Sequence, residues 1–350
     1  MILALESSCD ETAAAVFDPA LGLTVELVRS QMVLHERYGG VVPDLAAREH
    51  LRSFPLLFGR LREAGVPAGI TAVAVTHGPG LAGCLAIGVA AAKALALAWR
   101  LPLIGVSHLR GHAWSPFIAV PRAPPAAFAA RRDALLPHLG LIVSGGNTLL
   151  CAIDRARVLT VLSATRDDAA GEALDKGAKL LGLGYPGGPL IEQHAGSGRR
   201  DAYRFPRGIQ PNDDLSFSFS GLKTSLRYLV EKMTPEAVVA ERDHLCASYQ
   251  QAVVDALAKK TGTALRRGPG GDGATGFASL GVSGGVANNR VLRAALAAVA
   301  AEHGAEFLAA APEHTGDNAG MIAFAAWCDP RGCNRDAQLA LTIEPDLALA

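Results

Sequence analysis

The sequence predicts an α/β protein of two domains. Short apolar runs that are typical of strands alternate with longer segments that have helical periodicity. An apolar run that ends in Val-Ser-Gly-Gly occurs twice, at residues 143–146 and 282–285. The length of 350 residues agrees with two domains, because a domain averages ~150 residues. A chain of this length can bury a large core without a disulfide or metal staple.

The first part of the chain predicts a β-meander. Strands are expected at residues 2–5, 13–17 and 23–28, with a polar turn, Glu-Ser-Ser-Cys-Asp-Glu-Thr, between the first two. A helix is expected at residues 43–65, and Pro55 should kink or split it. The predicted core-facing stripe of this helix consists of Leu45, Leu51, Leu56, Leu57 and Leu61.

Further strands and helices follow in alternation. A strand at residues 72–76 leads through a Gly-Pro-Gly turn into an apolar helix from Leu81, which is expected to be buried. A strand at residues 103–106 comes next, and Ser107 could cap the helix after it. Two segments predict loops: residues 120–137, which are rich in Pro, Ala and Arg, and the Gly-rich residues 266–276.

Composition excludes several classes of protein. Apolar residues make up 50% and charged residues 19% of the chain, which is a globular composition. Lys+Arg and Asp+Glu are both 33, so nucleic acid could bind only through local patches or a partner. The six cysteines form no Cys-x-x-Cys pair, which favours a reducing compartment over a disulfide framework. Acidic residues interrupt the apolar start, so no signal peptide is expected.

The two Val-Ser-Gly-Gly turns predict an anion-binding function. Glycine lets the backbone approach a phosphate closely, and the free N–H groups and the Ser hydroxyl can bind it. Two ordinary tight turns are the alternative interpretation. The layout of strand, acidic turn, strand, and then two strand-Gly-Gly units is that of actin-like nucleotide-binding folds, in which two similar domains close on a nucleotide.

A second motif, His108-Leu-Arg-Gly-His112, predicts a metal site. Residues i and i+4 share a helix face, so both imidazoles can reach one ion. Leu109 stands where a zincin protease has its general base, which argues against that class. Asp317 and His314 are rival third ligands, although Asp317 could instead be a helix N-cap.

A third group of residues consists of an acidic segment and a glycine turn. Residues 167–176 place Asp168, Glu172, Asp175 and Lys176 on adjacent helical faces. A solvated helix start favoured by the helix dipole is the alternative interpretation. The Tyr-Pro-Gly-Gly-Pro turn at residues 185–189 can expose amides to a ligand.

These motifs together resemble the tRNA N(6)-adenosine threonylcarbamoyltransferase family, which includes bacterial TsaD and the catalytic subunits of KEOPS complexes, once described as O-sialoglycoprotein endopeptidases. The resemblance covers almost the whole chain in the family order. The matching segments are residues 5–12, 38–50, 78–81, 108–112, 143–146, 167–176, 185–189, 217–223, 283–290 and 315–323.

The resemblance implies a two-domain actin-like (ASKHA, ribonuclease H-like) fold with a nucleotide cleft between the domains. It implies transfer of the threonylcarbamoyl group from threonylcarbamoyl-adenylate to the N(6) amine of the adenosine beside the anticodon, in tRNAs that read codons beginning with A. It also implies a cytoplasmic enzyme that works with a paralogous actin-like partner and a small P-loop ATPase, similar to TsaB and TsaE. We expect domains at residues 1–106 and 107–321, with residues 322–350 packed on the first.

The resemblance also assigns site residues. It implies that one divalent ion, iron(II) in preference to zinc(II), is bound by His108, His112 and Asp317. Asp10 and Glu11 would lie at the reaction centre as catalytic residues. The residues implied to bind the acyl-adenylate are Ile142, Val143, Ser144, Gly145, Gly146, Asp175, Gly188 and Asn289.

The chain departs from the family pattern at a few positions. Asn147 stands where His usually follows the first Val-Ser-Gly-Gly, and Ser7 replaces a commoner Thr. Two other functions share the superfold: a non-catalytic actin-like partner, and a sugar or acetate kinase. Neither needs the two histidines and Asp317, so metal analysis of the purified protein would discriminate them from the transferase.

Overall fold

The structure is a computed structural model. It describes the chain except for residues 67, 121–124, 209–213, 272, 274, 337–338 and 350, together with the side chains of residues 125, 126 and 336. The described chain forms two compact units. The first unit contains Met1–Ala134 and Ala310–Ala350, and the second contains Leu135–Ala309.

The first unit is built on a six-stranded sheet. Its strands are β1 (Ile2–Glu6), β2 (Glu11–Asp18), β3 (Gly22–Ser30), β4 (Ala72–Gly78), β5 (Leu103–Ser107) and β11 (Asn334–Asp336). Their order is β11-β5-β4-β1-β2-β3. The predicted meander of β1, β2 and β3 is confirmed. Strand β4 pairs parallel with β1, and β5 pairs parallel with β4, so three strands of this sheet end at the same edge.

Six α-helices lie in the described part of the first unit. They are α1 (Met32–Glu36), α2 (Pro43–Glu63), α3 (Ala82–Trp99), α4 (His108–Trp114), α5 (Pro125–Ala134) and α11 (Ala319–Cys328). Helix α3 packs on β4 and α2, and α11 packs on β1, β2 and α4. The core between sheet and helices is apolar: Leu3, Leu5, Val73 and Val75 from the strands meet Phe54, Leu57 and Val89 from the helices.

Helix α2 corrects two predictions. It is continuous through Pro55, so the predicted split does not occur. Leu51 and Leu56 are 61% and 52% exposed, so their predicted place in the core is wrong. The buried face instead includes Ala46, His50, Ser53, Phe54, Leu57 and Leu61, which recur at the three- and four-residue spacing of one helix face.

Both predicted loops also need correction. Residues 125–134 of the first form helix α5, while residues 121–124 lie outside the described part of the chain. Phe128 holds α5 in place, since its ring lies 6.1 Å from that of Phe324 and 5.0 Å from that of Trp327. One aromatic residue among alanines and arginines is too weak a pattern to indicate a helix face. The second predicted loop begins inside a helix that ends at Arg267, and its residues 272 and 274 are not described.

Helix α3 is long and apolar enough to cross a membrane by length and composition alone. A core helix of a globular protein meets the same test. One face of α3, which includes Leu85, Val89 and Ala96, is buried against the first unit, whereas Leu97 is 68% exposed. The prediction of a buried helix is therefore right for one face only.

The second unit is built on a five-stranded sheet of the same strand order. Its strands are β6 (His138–Val143), β7 (Thr148–Ile153), β8 (Leu159–Ala164), β9 (Ser279–Ser283) and β10 (Glu306–Ala309), in the order β10-β9-β6-β7-β8. The first three strands again form an antiparallel meander, β9 pairs parallel with β6, and β10 pairs parallel with β9. The repeated Val-Ser-Gly-Gly sequences therefore follow adjacent parallel strands.

Five α-helices complete the second unit as far as the structure describes it. They are α6 (Ala170–Leu180), α7 (Gly187–Ala195), α8 (Ser220–Val230), α9 (Pro235–Arg267) and α10 (Arg290–Glu302). The long helix α9 packs against α6, α7, α8 and α10. Tyr249 of α9 is fully buried and donates a hydrogen bond of 2.8 Å to the carbonyl of Ala173, which ties α9 to α6.

The division between the units differs from the predicted boundaries after residues 106 and 321. It falls after Ala134 and after Ala309. The difference arises because α4 packs on α11 and on β4 and β5, so both helices belong wholly to the first unit. The local sequence does not show this packing, because the two helices are far apart along the chain.

Buried His138 predicts an acid-sensitive second unit. Its Nδ1 lies 2.7 Å from the hydroxyl of Ser279, and burial lowers the pKa of His138 to about 3. The unfolded chain takes up this proton near pH 6.5, whereas the folded chain does not, so stability falls as pH decreases from about 6.5 to about 3. We expect a slope of up to about 1.4 kcal/mol per pH unit from this residue.

Replacement of His138 by Asn tests this expectation. Asn keeps a donor for Ser279 but does not titrate, so the free energy of unfolding should depend less steeply on pH in that window. Denaturant unfolding of the second unit at several pH values measures the slope. Curves of equal slope for the variant and the unsubstituted protein would contradict the assignment.

Candidate functional site

Helix α4 carries the His-x-x-x-His motif directly after β5. Ser107 occupies the N-cap position, but its side chain makes no capping hydrogen bond, so the predicted cap is wrong. The far end of α4 is anchored instead: Arg110 Nη1 and Trp114 Nε1 both donate to the carboxylate of Asp329. Gly111 lets α11 approach, because a Cβ there would lie 2.9 Å from Ile322 Cδ1. Burial on these sides fixes where the two histidines point.

Asp317 lies just before α11, and it does not cap that helix. Asn318 is the N-cap residue, and its Oδ1 accepts a hydrogen bond of 2.8 Å from the Met321 amide. The interpretation of Asp317 as an N-cap is therefore wrong. Its carboxylate Oδ1 lies 3.3 Å from His108 Nε2 and 3.1 Å from His112 Nε2.

These three residues form a cluster that could hold a metal ion, with ligand atoms within 4.8 Å of one another. Two ligand atoms that are each about 2.1 Å from a tetrahedral ion lie about 3.4 Å apart. The separations of 3.1 and 3.3 Å match that value. Both histidines are buried and the carboxylate is 21% exposed, so one side of the cluster is open to solvent or substrate.

Opposing charges dominate the electrostatics of the cluster. Burial disfavours the ionised carboxylate, but the two imidazoles outweigh it and hold the pKa of Asp317 well below its usual range. Burial also opposes the imidazolium form of His108, yet Asp317 and Glu6 raise the pKa of His108. Burial lowers the pKa of His112. The cluster therefore attracts a cation.

His314, the rival third ligand, is not part of the cluster. Its Nε2 lies 2.8 Å from Glu26 Oε2 in a separate ion pair. The sequence could not separate the rivals, because both lie within one short turn before α11 and only their side-chain directions differ.

Glu6 is a site residue that the sequence analysis missed. It ends β1 and is fully buried. Its Oε1 accepts a hydrogen bond from the Ser8 amide at 2.5 Å, and its Oε2 accepts one from Thr76 Oγ1 and lies 3.2 Å from His108 Nδ1. The available signal was an ionisable residue at the end of an otherwise apolar strand.

The acidic turn after β1 is held by His50 of α2. The imidazole Nε2 donates to the carbonyl of Cys9 at 2.9 Å, and Nδ1 accepts from Thr12 Oγ1 at 2.7 Å. Burial, the nearby charges of Asp10 and Asp317 and a hydrogen bond with Asp10 together raise the pKa of Glu11 to about 9. The Asp10–Glu11 pair is thus electrostatically connected to the metal cluster.

In the second unit, the first Val-Ser-Gly-Gly turn follows β6. Ile142 and Val143 are buried strand residues, so only their backbone could contact a ligand. The amide of Asn147 donates to Ser144 Oγ at 3.0 Å, which closes the turn. Space is open at Gly145 and Gly146, where an added Cβ would meet nothing within 4 Å.

The second turn lies beside the first. A Cβ at Gly284, whose φ is +89°, would lie 2.3 Å from the carbonyl oxygen of Val143. Gly171, in the first turn of α6, is packed as closely, since a Cβ there would lie 2.5 Å from the Ser144 carbonyl oxygen. Two glycines therefore let β9 and α6 approach the end of β6. The two Val-Ser-Gly-Gly turns therefore lie side by side.

The remaining residues with an implied role in binding have structural partners. Asp175 Oδ1 accepts a hydrogen bond of 2.7 Å from the Gly187 amide, and burial raises the pKa of this carboxyl group. Gly188 follows in the first turn of α7. Asn289 caps α10 through the Leu292 amide and donates to Gln250 Oε1 at 2.7 Å. Buried Gln250 was not predicted from the sequence.

The repeated strand order and the strand-end turns define an actin-like protein. Solved structures show the same fold. HypF from T. kodakarensis aligns with a TM-score of 0.55 over 93% of this chain and 47% of that chain, at 13% identity. Full-length HypF in a phosphate- and nucleotide-bound form aligns with a TM-score of 0.53 over 93% of this chain and 54% of that chain, at 13% identity.

Sequence comparison identifies the family. The family model for tRNA N6-adenosine threonylcarbamoyltransferase matches residues 22–324. The protein of that name from Anaeromyxobacter dehalogenans (strain 2CP-C) is 49% identical over 93% of this chain and 92% of its own length. The one from Herminiimonas arsenicoxydans is 41% identical over 99% of this chain and 94% of its own length. The chain belongs to the tRNA N6-adenosine threonylcarbamoyltransferase family.

Two adjacent glycines give a matched test of the second turn. Gly284→Ala should lower the free energy of unfolding by more than about 2 kcal/mol, because a Cβ would clash with β6 at a positive φ. Gly285→Ala should change it by less than about 0.5 kcal/mol, since the space there is open. Denaturant unfolding measures both, and equal losses would contradict the described packing.

Proposed function

We propose that this enzyme transfers the threonylcarbamoyl group from L-threonylcarbamoyl-adenylate to the N(6) amine of the adenosine adjacent to the anticodon, in tRNAs that read codons beginning with A. The observation that supports this most is the match to curated transferases along nearly the whole chain. The His-His-Asp cluster, which a scaffold or a kinase of this fold would not need, supports it further.

His108, His112 and Asp317 hold one divalent ion in this proposal. The donor set of two imidazoles and one carboxylate suits iron(II) and zinc(II) alike, and the family resemblance favours iron(II). When bound, the ion supplies a Lewis acid for the phosphate or carbamoyl oxygens. The chain's own residues fix the position of the ion and leave the Asp317 side open.

The turns of the second unit bind the adenylate in this proposal. Within the segment from Ile142 to Gly146, the Ser144 amide already donates to the Asn147 carbonyl, so the amides of Gly145 and Gly146 supply the N–H groups that replace water around the phosphate. Asp175 and Gly188 bind at the start of α7, where the Gly187 amide donates to Asp175 Oδ1, and Asn289 binds through its remaining side-chain N–H. Asn147, in place of the usual His, keeps a donor and an acceptor at the end of the first turn.

The Asp10–Glu11 pair accepts the proton that the reaction releases in this proposal. The hydrogen bond between the two carboxyl groups lets them hold one proton together, which accords with the raised pKa of Glu11. As the amine nitrogen forms its bond to the carbamoyl carbon, the bond from that carbon to the phosphate oxygen breaks and AMP leaves. Asp10 accepts the proton that the amine loses.

Partners and location follow from the family. The family acts on tRNA, and we propose that a paralogous actin-like protein and a small P-loop ATPase assist this chain. The net charge of zero agrees with a tRNA surface that partners help to form. The six cysteines form no Cys-x-x-Cys pair, and the reducing compartment that this favours agrees with a cytoplasmic location.

Replacement of His112 by Ala tests the metal centre. We expect it to remove the bound metal and to slow transfer at least about a hundredfold, because one of three ligands is lost. The measurement is metal content together with single-turnover transfer of labelled threonine from the acyl-adenylate to tRNA. The control is His314→Ala, which should keep both, since His314 pairs with Glu26. Full metal content in His112→Ala would refute the assignment.

Replacement of Gly146 by Val tests the adenylate turn. The added side chain meets no protein atom at its Cβ, so the fold should persist, while close approach of a phosphate is blocked. Calorimetry should show at least about tenfold weaker binding of AMP, or about 1.4 kcal/mol. Gly59→Val, another open glycine on helix α2, is the control. Unchanged affinity for AMP in Gly146→Val would contradict the proposal that this turn binds the adenylate.

A further inference from the structure

Glu6 is the most deeply buried acidic side chain near the metal cluster, and the family resemblance assigns it no role. Its exposure is 0%, and both of its oxygens have partners. The parallel pairing of β1 with β4 places Thr76 beside it, and the chain turns back so that the Ser8 amide reaches Oε1. A buried carboxylate with this many partners is held in one orientation.

The carboxylate of Glu6 determines which nitrogen of His108 carries hydrogen. A carboxylate only accepts hydrogen bonds, so Nδ1 of His108, 3.2 Å from Glu6 Oε2, donates. Ser8 Oγ, 3.1 Å from the same nitrogen, can accept a share of that hydrogen bond. The lone pair of a neutral His108 is then on Nε2, which faces Asp317 Oδ1. A metal ligand requires this tautomer.

His112 lacks an equivalent partner. Its Nδ1 is buried and has no hydrogen-bond partner among the described residues. The two histidines therefore differ at Nδ1, since Glu6 contacts that atom in His108 and no described group bonds to it in His112. A substitution of Glu6 that affects only the tautomer of His108 should therefore act on this one ligand among the three.

Charge balance is a second, independent reason to assign Glu6 a role at the metal centre. When both imidazoles are neutral, as metal ligands must be, Glu6 and Asp317 contribute two negative charges beside the cluster. Buried charges are costly unless a partner compensates them. One divalent cation at the cluster compensates the charges of these two carboxylates.

We propose that Glu6 is a positioning residue of the metal centre: it fixes the tautomer of His108 and, with Asp317, balances the charge of one divalent cation. This inference rests on the metal site of the proposed function. Glu6 touches His108, and it is not itself among the ligands.

The test is Glu6→Gln, which keeps the size of the side chain and an oxygen acceptor but removes the charge. Affinity for Zn²⁺, measured by competition with a chelator, should fall about 10- to 100-fold, as it does when partners of metal-binding histidines are removed. The matched control is Glu26→Gln, the carboxylate of another Glu–His pair in this unit, which should leave affinity unchanged. Equal affinity for Glu6→Gln and the unsubstituted protein would overturn the proposal.

Two further measurements separate positioning from a general structural role. The visible spectrum of the Co²⁺-loaded protein should change in Glu6→Gln and not in Glu26→Gln, because the coordination of His108 changes. The melting temperature of the metal-free protein should change little, whereas the increase on addition of Zn²⁺ should shrink. A lower melting temperature with unchanged affinity and an unchanged spectrum would show that Glu6 only stabilises the fold.

A second variant keeps the test available if Glu6→Gln does not fold. Thr76→Val removes one hydrogen bond to Glu6 Oε2 and preserves shape, so Zn²⁺ affinity should fall by a few-fold. Unchanged affinity in this variant would argue against the proposal. Absence of Zn²⁺ binding by the unsubstituted protein would overturn the proposed metal centre as well, whereas equal affinity in the variants would overturn only the role of Glu6.

Discussion

Parallel pairing at the centre of each sheet determines where the functional groups lie. In the first unit, β1, β4 and β5 run in the same direction, so Glu6, Thr76 and His108, each at or just after the end of its strand, meet at one edge. In the second unit, β6 and β9 bring the two Val-Ser-Gly-Gly turns to adjacent positions in the same way. The pairing of the strands thus brings together functional residues that are far apart in the sequence.

Much of this could be predicted from the sequence, because strands and turns leave local signals. The meander, the Gly-Gly turns, the His pair and the order of elements all follow from short-range patterns. The face of α2 could not be read so easily, since leucines lie on both sides of it and only packing selects Phe54 and Leu57 over Leu51 and Leu56. Helix α5 depends on Phe128 meeting aromatic rings from α11, a contact that spans most of the chain.

The residues of the metal cluster, too, could be predicted only in part from the sequence. The sequence offered Asp317 and His314 as rivals, and the choice depends on which neighbour caps the next helix. Because Asn318 takes the capping position, the carboxylate of Asp317 is available for His108 and His112, while Glu26 pairs with His314. Glu6 was not predicted as a site residue. Its partners, Thr76 and His108, lie at the ends of two other strands, and only the folded sheet brings the three residues together.

The first unit is made from both ends of the chain, and this has a consequence for biosynthesis. The ribosome delivers residues from the N-terminus, so the second unit, an insertion at Leu135–Ala309, is complete before the first unit has its last segment. Until that segment emerges, β1, β2 and α4 lack α11, against which all three pack. Until then the nascent first unit exposes an apolar surface, and chaperones bind surfaces of this kind. The first unit can therefore complete its fold, and its metal cluster, only after Asp317 and α11 have been synthesised.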